Sequence, residues 1–100
     1  MQVIISARGM TVSRTTKDAL TAKLAKLEPM LPAIVETRAV LSREKHRRTA
    51  ALTLLTRRRA FRSRETAADL ESAVDQAVQA LRRQVRETKA RRLRRAANAP

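Results

Sequence analysis

The sequence predicts an α+β fold: a β-α-β-β-β-α two-layer sandwich, with one four-stranded sheet and two helices on one face. Three observations predict it. A β-rich run is followed by an amphipathic helical segment. Three consecutive runs then alternate apolar and polar residues. A final long segment repeats its apolar residues at helical spacing. The 100 residues suffice for a single modest core and do not divide into two folding units. The folded domain is expected over residues 1–92, with 93–100 as a basic, disordered tail.

The first strand is QVIIS at 2–6, and the following ARGM holds the only glycine of the chain, which marks a turn. The first helix is capped by Ser13 and carries Leu20, Leu24 and Leu27 at i, i+4 and i+7 until Pro29. Proline lacks a backbone donor and restricts the residue before it, so the helix stops there.

From Ile34 the runs VETRAVLSRE, HRRTAALTLLT and AFRSRET read as consecutive strands. Ala50, Leu52 and Leu54 share one face of the middle strand; Arg47, Thr49 and Thr53 share the other. Such a strand suits a sheet covered on one side only. The separators REKH at 43–46 and RRR at 57–59 contain no glycine, which argues against tight hairpin turns.

The last element starts near Asp69, with Thr66 or Asp69 as the cap. Leu70, Val74, Val78, Leu81 and Val85, with Ala77 beside them, fall within an arc of roughly 100°. Beyond Lys89 the apolar pattern fades.

Charge sets the functional class. The net charge of +14 makes the compact state repel itself, and a polyanion relieves that repulsion. No apolar stretch reaches the roughly 18 residues of a membrane span and no signal peptide is evident, so a cytoplasmic protein without a membrane partner is expected. With no cysteine, a lone His46 and no phosphate loop, metal-ligand spacing or nucleophile motif, neither an enzyme nor a cofactor, metal or small-molecule substrate is expected. Asp69, Glu71 and Asp75 lie in the first turns of the last helix, where acids suit the macrodipole.

The basic residues of that helix are not scattered. Lys89, Arg82, Arg86 and Arg83 lie at roughly 60°, 80°, 120° and 180° from the centre of the apolar stripe. They flank the buried face, and nine further Lys or Arg residues lie between positions 43 and 64. So large an excess over carboxylates favours phosphate contacts and binding that weakens with salt. Phe61 is the only aromatic. Recognition through the backbone and shape of folded RNA is therefore favoured over base stacking.

The segments MQVIISARGM, LTAKLAKLEPML, VLSREK and ADLESAVDQAVQALRRQ carry a family resemblance. They include K-L-x-K-L-E at 23–28, L-S-x-E-K at 41–45 and A-V-D at 73–75. In this order and spacing they resemble the ribosome hibernation-promoting factors, or ribosome-associated inhibitors, in the short form without a dimerisation domain. The resemblance runs from Met1 to about Arg92.

It implies a fold similar to that of double-stranded RNA-binding domains. It also implies binding to the small ribosomal subunit and its rRNA, in the channel of messenger RNA and the A- and P-site transfer RNAs. Binding there blocks translation in stationary or starved cells and preserves idle ribosomes, in some members as ribosome dimers.

Carried over by position, the rRNA-binding residues are Arg8, Lys23, Lys26, Lys45, Arg83 and Lys89, with Arg82 and Arg86 extending that surface. The chain departs from the family where Met30 and Leu31 replace an aromatic pair. Arg57, Arg58 and Arg59 replace a glycine-rich hairpin, Glu71 a tyrosine and Glu87 a frequently basic residue. The alternatives are a non-specific nucleic-acid-binding or chaperoning protein, and a module that pairs through its open sheet face with another polypeptide.

Overall fold

The computed structural model describes residues 2–30 and 34–98, with side chains to Leu93 in the last helix. The elements are β1 (Gln2–Arg8), α1 (Arg14–Ala25), a 3₁₀ turn (Glu28–Met30), β2 (Ile34–Glu44), β3 (Arg47–Thr56), β4 (Ala60–Ala67) and α2 (Leu70–Asn98). The four strands form one sheet in the order β1-β2-β3-β4. β1 runs parallel to β2, as a strand joined to its neighbour through a crossover helix must; the other two pairs are antiparallel hairpins.

Strand register decides what each face carries. On the covered face, Ile5, Ala39, Leu52 and Ser63 line up across the sheet, as do Val3, Thr37, Leu54 and Phe61. Leu20, Leu24 and Leu27 of the α1 region, and Ala73, Val74, Ala77, Val78, Leu81 and Val85 of α2, join these residues in a single core. On the uncovered face the rows are Ile4, Arg38, Thr53 and Arg62, and Ser6, Val40, Ala51 and Arg64. Two-layer architecture follows, with both helices on one side of the sheet.

Local chemistry sets the ends of the helices. The Ser13 hydroxyl accepts from the Thr16 amide at 3.2 Å and caps α1. The helix ends at Ala25, and Pro29 falls in the 3₁₀ turn beyond it. Asp69 caps α2: its carboxylate accepts from the Ser72 amide at 2.8 Å and from the Ser72 hydroxyl at 3.0 Å. Those two hydrogen bonds hold the Asp69 carboxyl below the usual carboxylate range. Thr66 is not a cap; it shares a 2.9 Å hydroxyl hydrogen bond with Thr49 across β3 and β4.

The structure departs from the sequence expectations at both hairpins. Between β2 and β3, Glu44 pairs with Arg47, so Lys45 and His46 alone make the connection, and Lys45 takes a φ of 54°. A tight turn forms without glycine, at a steric cost borne by Lys45.

Between β3 and β4, Thr56 does the work of a turn residue. Its amide donates to the Arg59 carbonyl at 2.9 Å, and its hydroxyl accepts from the Arg59 amide at 2.9 Å and the Arg58 amide at 3.3 Å. Local side-chain to backbone bonding of this kind replaces the freedom that glycine would supply. Gly9, at φ 68°, turns the chain after β1.

A further difference concerns residues 93–98, read from the sequence as tail but helical here, since α2 continues to Asn98. Alanine, leucine and arginine dominate that stretch, and all three have high intrinsic helix propensity. Residues 99–100 and Leu31 lie outside the described residues.

Candidate nucleic-acid interface

α2 has two flanks, identified by what each touches. On one, the Ser63 hydroxyl donates to the Ala77 carbonyl at 2.8 Å and the Gln84 amide donates to the Arg62 carbonyl at 2.6 Å; this flank lies against β4. On the other, Asp75 meets Lys23 of α1, with Nζ 2.5 Å from Oδ1. At 100° per residue, Arg82, Arg86 and Lys89 fall within about 40° of Asp75 and so continue the flank turned toward α1. From Arg82 to Lys89 the cations of that row extend about 10 Å along the axis. A ladder of cations at this spacing suits successive phosphates of a nucleic-acid backbone.

The members of the row differ in availability. Arg86 and Lys89 are exposed, and no carboxylate among the described residues pairs with either. Arg82 is half-buried and its Nε is enclosed without a hydrogen-bond partner, so its stem belongs partly to the helix layer. Lys26, the C-cap of α1, is exposed, whereas Lys23 is half-buried and already engaged by Asp75. Arg83 lies on neither flank; it is exposed on the back of α2, directly away from the sheet. Glu87 is exposed too, about 100° from Arg86 on the flank away from α1.

Arg8 and Lys45 sit elsewhere. Arg8 lies at the end of β1 opposite Ser42, on the uncovered sheet face. With Gly9, Arg43, Glu44, Thr49 and Arg64 it lines a shallow depression beside the β2–β3 turn that carries Lys45. Glu44 there binds Arg64 at 3.1 Å, which leaves Arg8 and Lys45 as the free cations of the carried-over set at this end. The eight expected residues therefore do not make one patch: five belong to the helix layer with Arg83 behind it, and Arg8 and Lys45 to the far end of the sheet.

The fold also assembles cations that linear spacing did not group. At the end of the sheet remote from Lys45, α2 passes over the β3–β4 hairpin, and Arg57, Arg58, Arg59, Lys89 and Arg92 surround a hollow of about 280 Å³. RRR at 57–59 is conspicuous in the sequence, but only the crossing of α2 brings Lys89 and Arg92 to it.

Among the described residues, no group of three or more His, Cys, Asp and Glu side chains is placed to hold a metal ion, and no helix is long and apolar enough to cross a membrane. His46 is exposed in its turn.

Fold and surface together define a class: a small α+β protein with exposed cations, Arg86 and Lys89 among them, that no described carboxylate pairs. The family model described as Sigma 54 modulation protein / S30EA ribosomal protein matches residues 3–93. The chain belongs to that family, in agreement with its resemblance to the hibernation-promoting factors. The crystal structure of the Thermus thermophilus Protein Y N-terminal domain is similar, with a TM-score of 0.81 and 26% identity over 88% of this chain and 99% of that one. A ribosomal subunit interface protein from Coxiella burnetii shares the fold, with a TM-score of 0.84 and 17% identity over 90% of this chain and 99% of that one. Comparison with curated protein sequences gives no match.

Proposed function

We propose that the protein is a cytoplasmic ribosome hibernation factor. It binds the small ribosomal subunit in the channel of messenger RNA and the A- and P-site transfer RNAs, blocks translation and preserves idle ribosomes. The observation that carries this reading is the family match over residues 3–93 on a chain whose α2 presents exposed, unpaired Arg86 and Lys89 and whose α1 ends on exposed Lys26. Inhibition is steric: a rigid two-layer body occupies the channel, and phosphate contacts from the helix layer, Arg8 and Lys45 hold it there. No covalent step is involved.

Association depends on salt, because each phosphate neutralised releases a counterion. Co-sedimentation with vacant small subunits, with random duplex RNA as competitor, tests the reading. Saturation near one copy per subunit, with release by initiator transfer RNA, is the expected result. Binding without a plateau that duplex RNA abolishes would instead indicate a generic nucleic-acid binder.

A further inference from the structure

We propose that the hollow between α2 and the β3–β4 hairpin is a subsite for one unpaired RNA nucleotide, its base seated inside and its phosphates held at the rim. The proposal rests on the reading of the protein as an RNA binder and names a contact that the flank alone does not supply.

The walls of the hollow set its chemistry. Val85, fully buried, and Phe61, only 6% exposed, close the hollow from beneath; its accessible apolar floor is the edge of Phe61, the methyl groups of half-buried Thr56 and Thr88 and the stems of exposed Arg57, Arg58, Arg59, Lys89 and Arg92. An apolar floor inside a ring of five cations is a poor match for a bare phosphate, which gains nothing from the floor. It is equally poor for a duplex, whose bases are stacked out of reach. A nucleotide turned out of its stack offers a flat ring for the floor and a flanking phosphodiester on each side for the rim. At about 280 Å³ the space has the scale of one nucleotide and no more, at the small end of ligand pockets.

The hollow is also preformed. Thr56 fixes the hairpin through hydrogen bonds to Arg58 and Arg59, so the backbone bearing the three arginines is ordered before any ligand arrives. On the other side, Val85 anchors α2 to the core, and the helix beyond it carries Thr88, Lys89 and Arg92 over the end of the sheet. No carboxylate of the described residues pairs with any of the five cations.

The test uses three labelled RNA hairpins, one fully paired, one with a single-nucleotide bulge and one with an abasic bulge, titrated by fluorescence anisotropy across a salt series. The protein is expected to bind the bulged RNA about tenfold more tightly than the paired one, and the abasic bulge no better than the paired one. Thr88→Phe fills the hollow without changing charge; it should erase the preference while affinity for paired RNA stays within about twofold. A combined Arg57→Gln, Arg58→Gln and Arg59→Gln variant should flatten the salt slope for the bulged RNA.

Equal affinity for bulged and paired RNA, or a preference that persists with the abasic bulge, overturns the proposal. Both comparisons use the unsubstituted protein, so they hold even if Thr88→Phe misfolds. Protein that co-sediments with small subunits yet binds the hairpins alike overturns the hollow alone. Protein that prefers the bulge yet ignores small subunits contradicts the ribosome reading and supports the hollow.

Discussion

Lys23 Nζ lies 2.5 Å from Asp75 Oδ1, an ion pair that joins α1 to α2 across 52 residues of sequence. Both side chains remain partly exposed, so the pair contributes at most about 1 kcal/mol to stability. Its larger effect is to occupy a cation that the family resemblance assigns to RNA. Asp75→Asn should cost about 1 kcal/mol or less in urea unfolding. It should tighten binding to small subunits by roughly two- to fivefold at low salt, because one more cation meets phosphate. Unchanged affinity would show that Lys23 takes no part in binding.

Lys45 holds a left-handed backbone conformation in a two-residue turn, which a side chain with a Cβ adopts at a cost. Lys45→Gly relieves that strain but adds freedom to the unfolded chain, for a net gain of about 0.5 kcal/mol. The same change removes a cation at the far end of the sheet. Stability and ribosome affinity should therefore move in opposite directions, which denaturation and co-sedimentation on one preparation would reveal. A variant both less stable and fully binding contradicts the assignment of Lys45.

The core fold was legible because its signals are local. Leucine spacing in α1, the alternation around Leu52 and the long stripe of α2 all correspond to buried faces. Ser13 and Asp69 cap where their chemistry allows. The hairpins were harder, because glycine is only one way to turn a chain: Thr56 folds its turn by hydrogen bonding and Lys45 by accepting strain. The surface was least legible. Helical arithmetic places Arg86 and Lys89 on a flank, but the partner of that flank, the pairing of Lys23 and the meeting of Lys89 with Arg57, Arg58 and Arg59 depend on how elements distant in sequence cross.

Asp69 links the start of α2 to pH. Hydrogen bonds from Ser72 lower its carboxyl in the folded state, so its contribution is fully present above the ordinary carboxylate value and is lost as pH falls through the lowered folded value. Asp69→Ala should lower the melting temperature at neutral pH, and the gap from the unsubstituted protein should narrow as the pH is taken below the ordinary carboxylate range. A gap constant down to strongly acid pH would exclude the charged cap as its source.

Leu24 is fully buried between α1 and the rest of the core. Leu24→Ala should cost about 2–5 kcal/mol. In so small a domain that is a large part of the total stability. Loosening α1 also displaces Lys26, so ribosome affinity should fall at temperatures where circular dichroism still reports folded protein. Loss of stability with no change in affinity would separate α1 from the binding surface.

The most direct measurement compares two charge reversals of equal size by co-sedimentation with vacant small subunits, at fixed salt and with duplex RNA as competitor. Arg86→Glu with Lys89→Glu alters the α2 flank; Arg14→Glu with Lys17→Glu alters exposed cations at the start of α1, outside every group assigned to RNA. The flank reversal should weaken binding more than about tenfold, and the α1 reversal less than about threefold. Equal losses from both would mean that net charge alone drives binding, and would contradict a ribosome-specific surface on the helix layer.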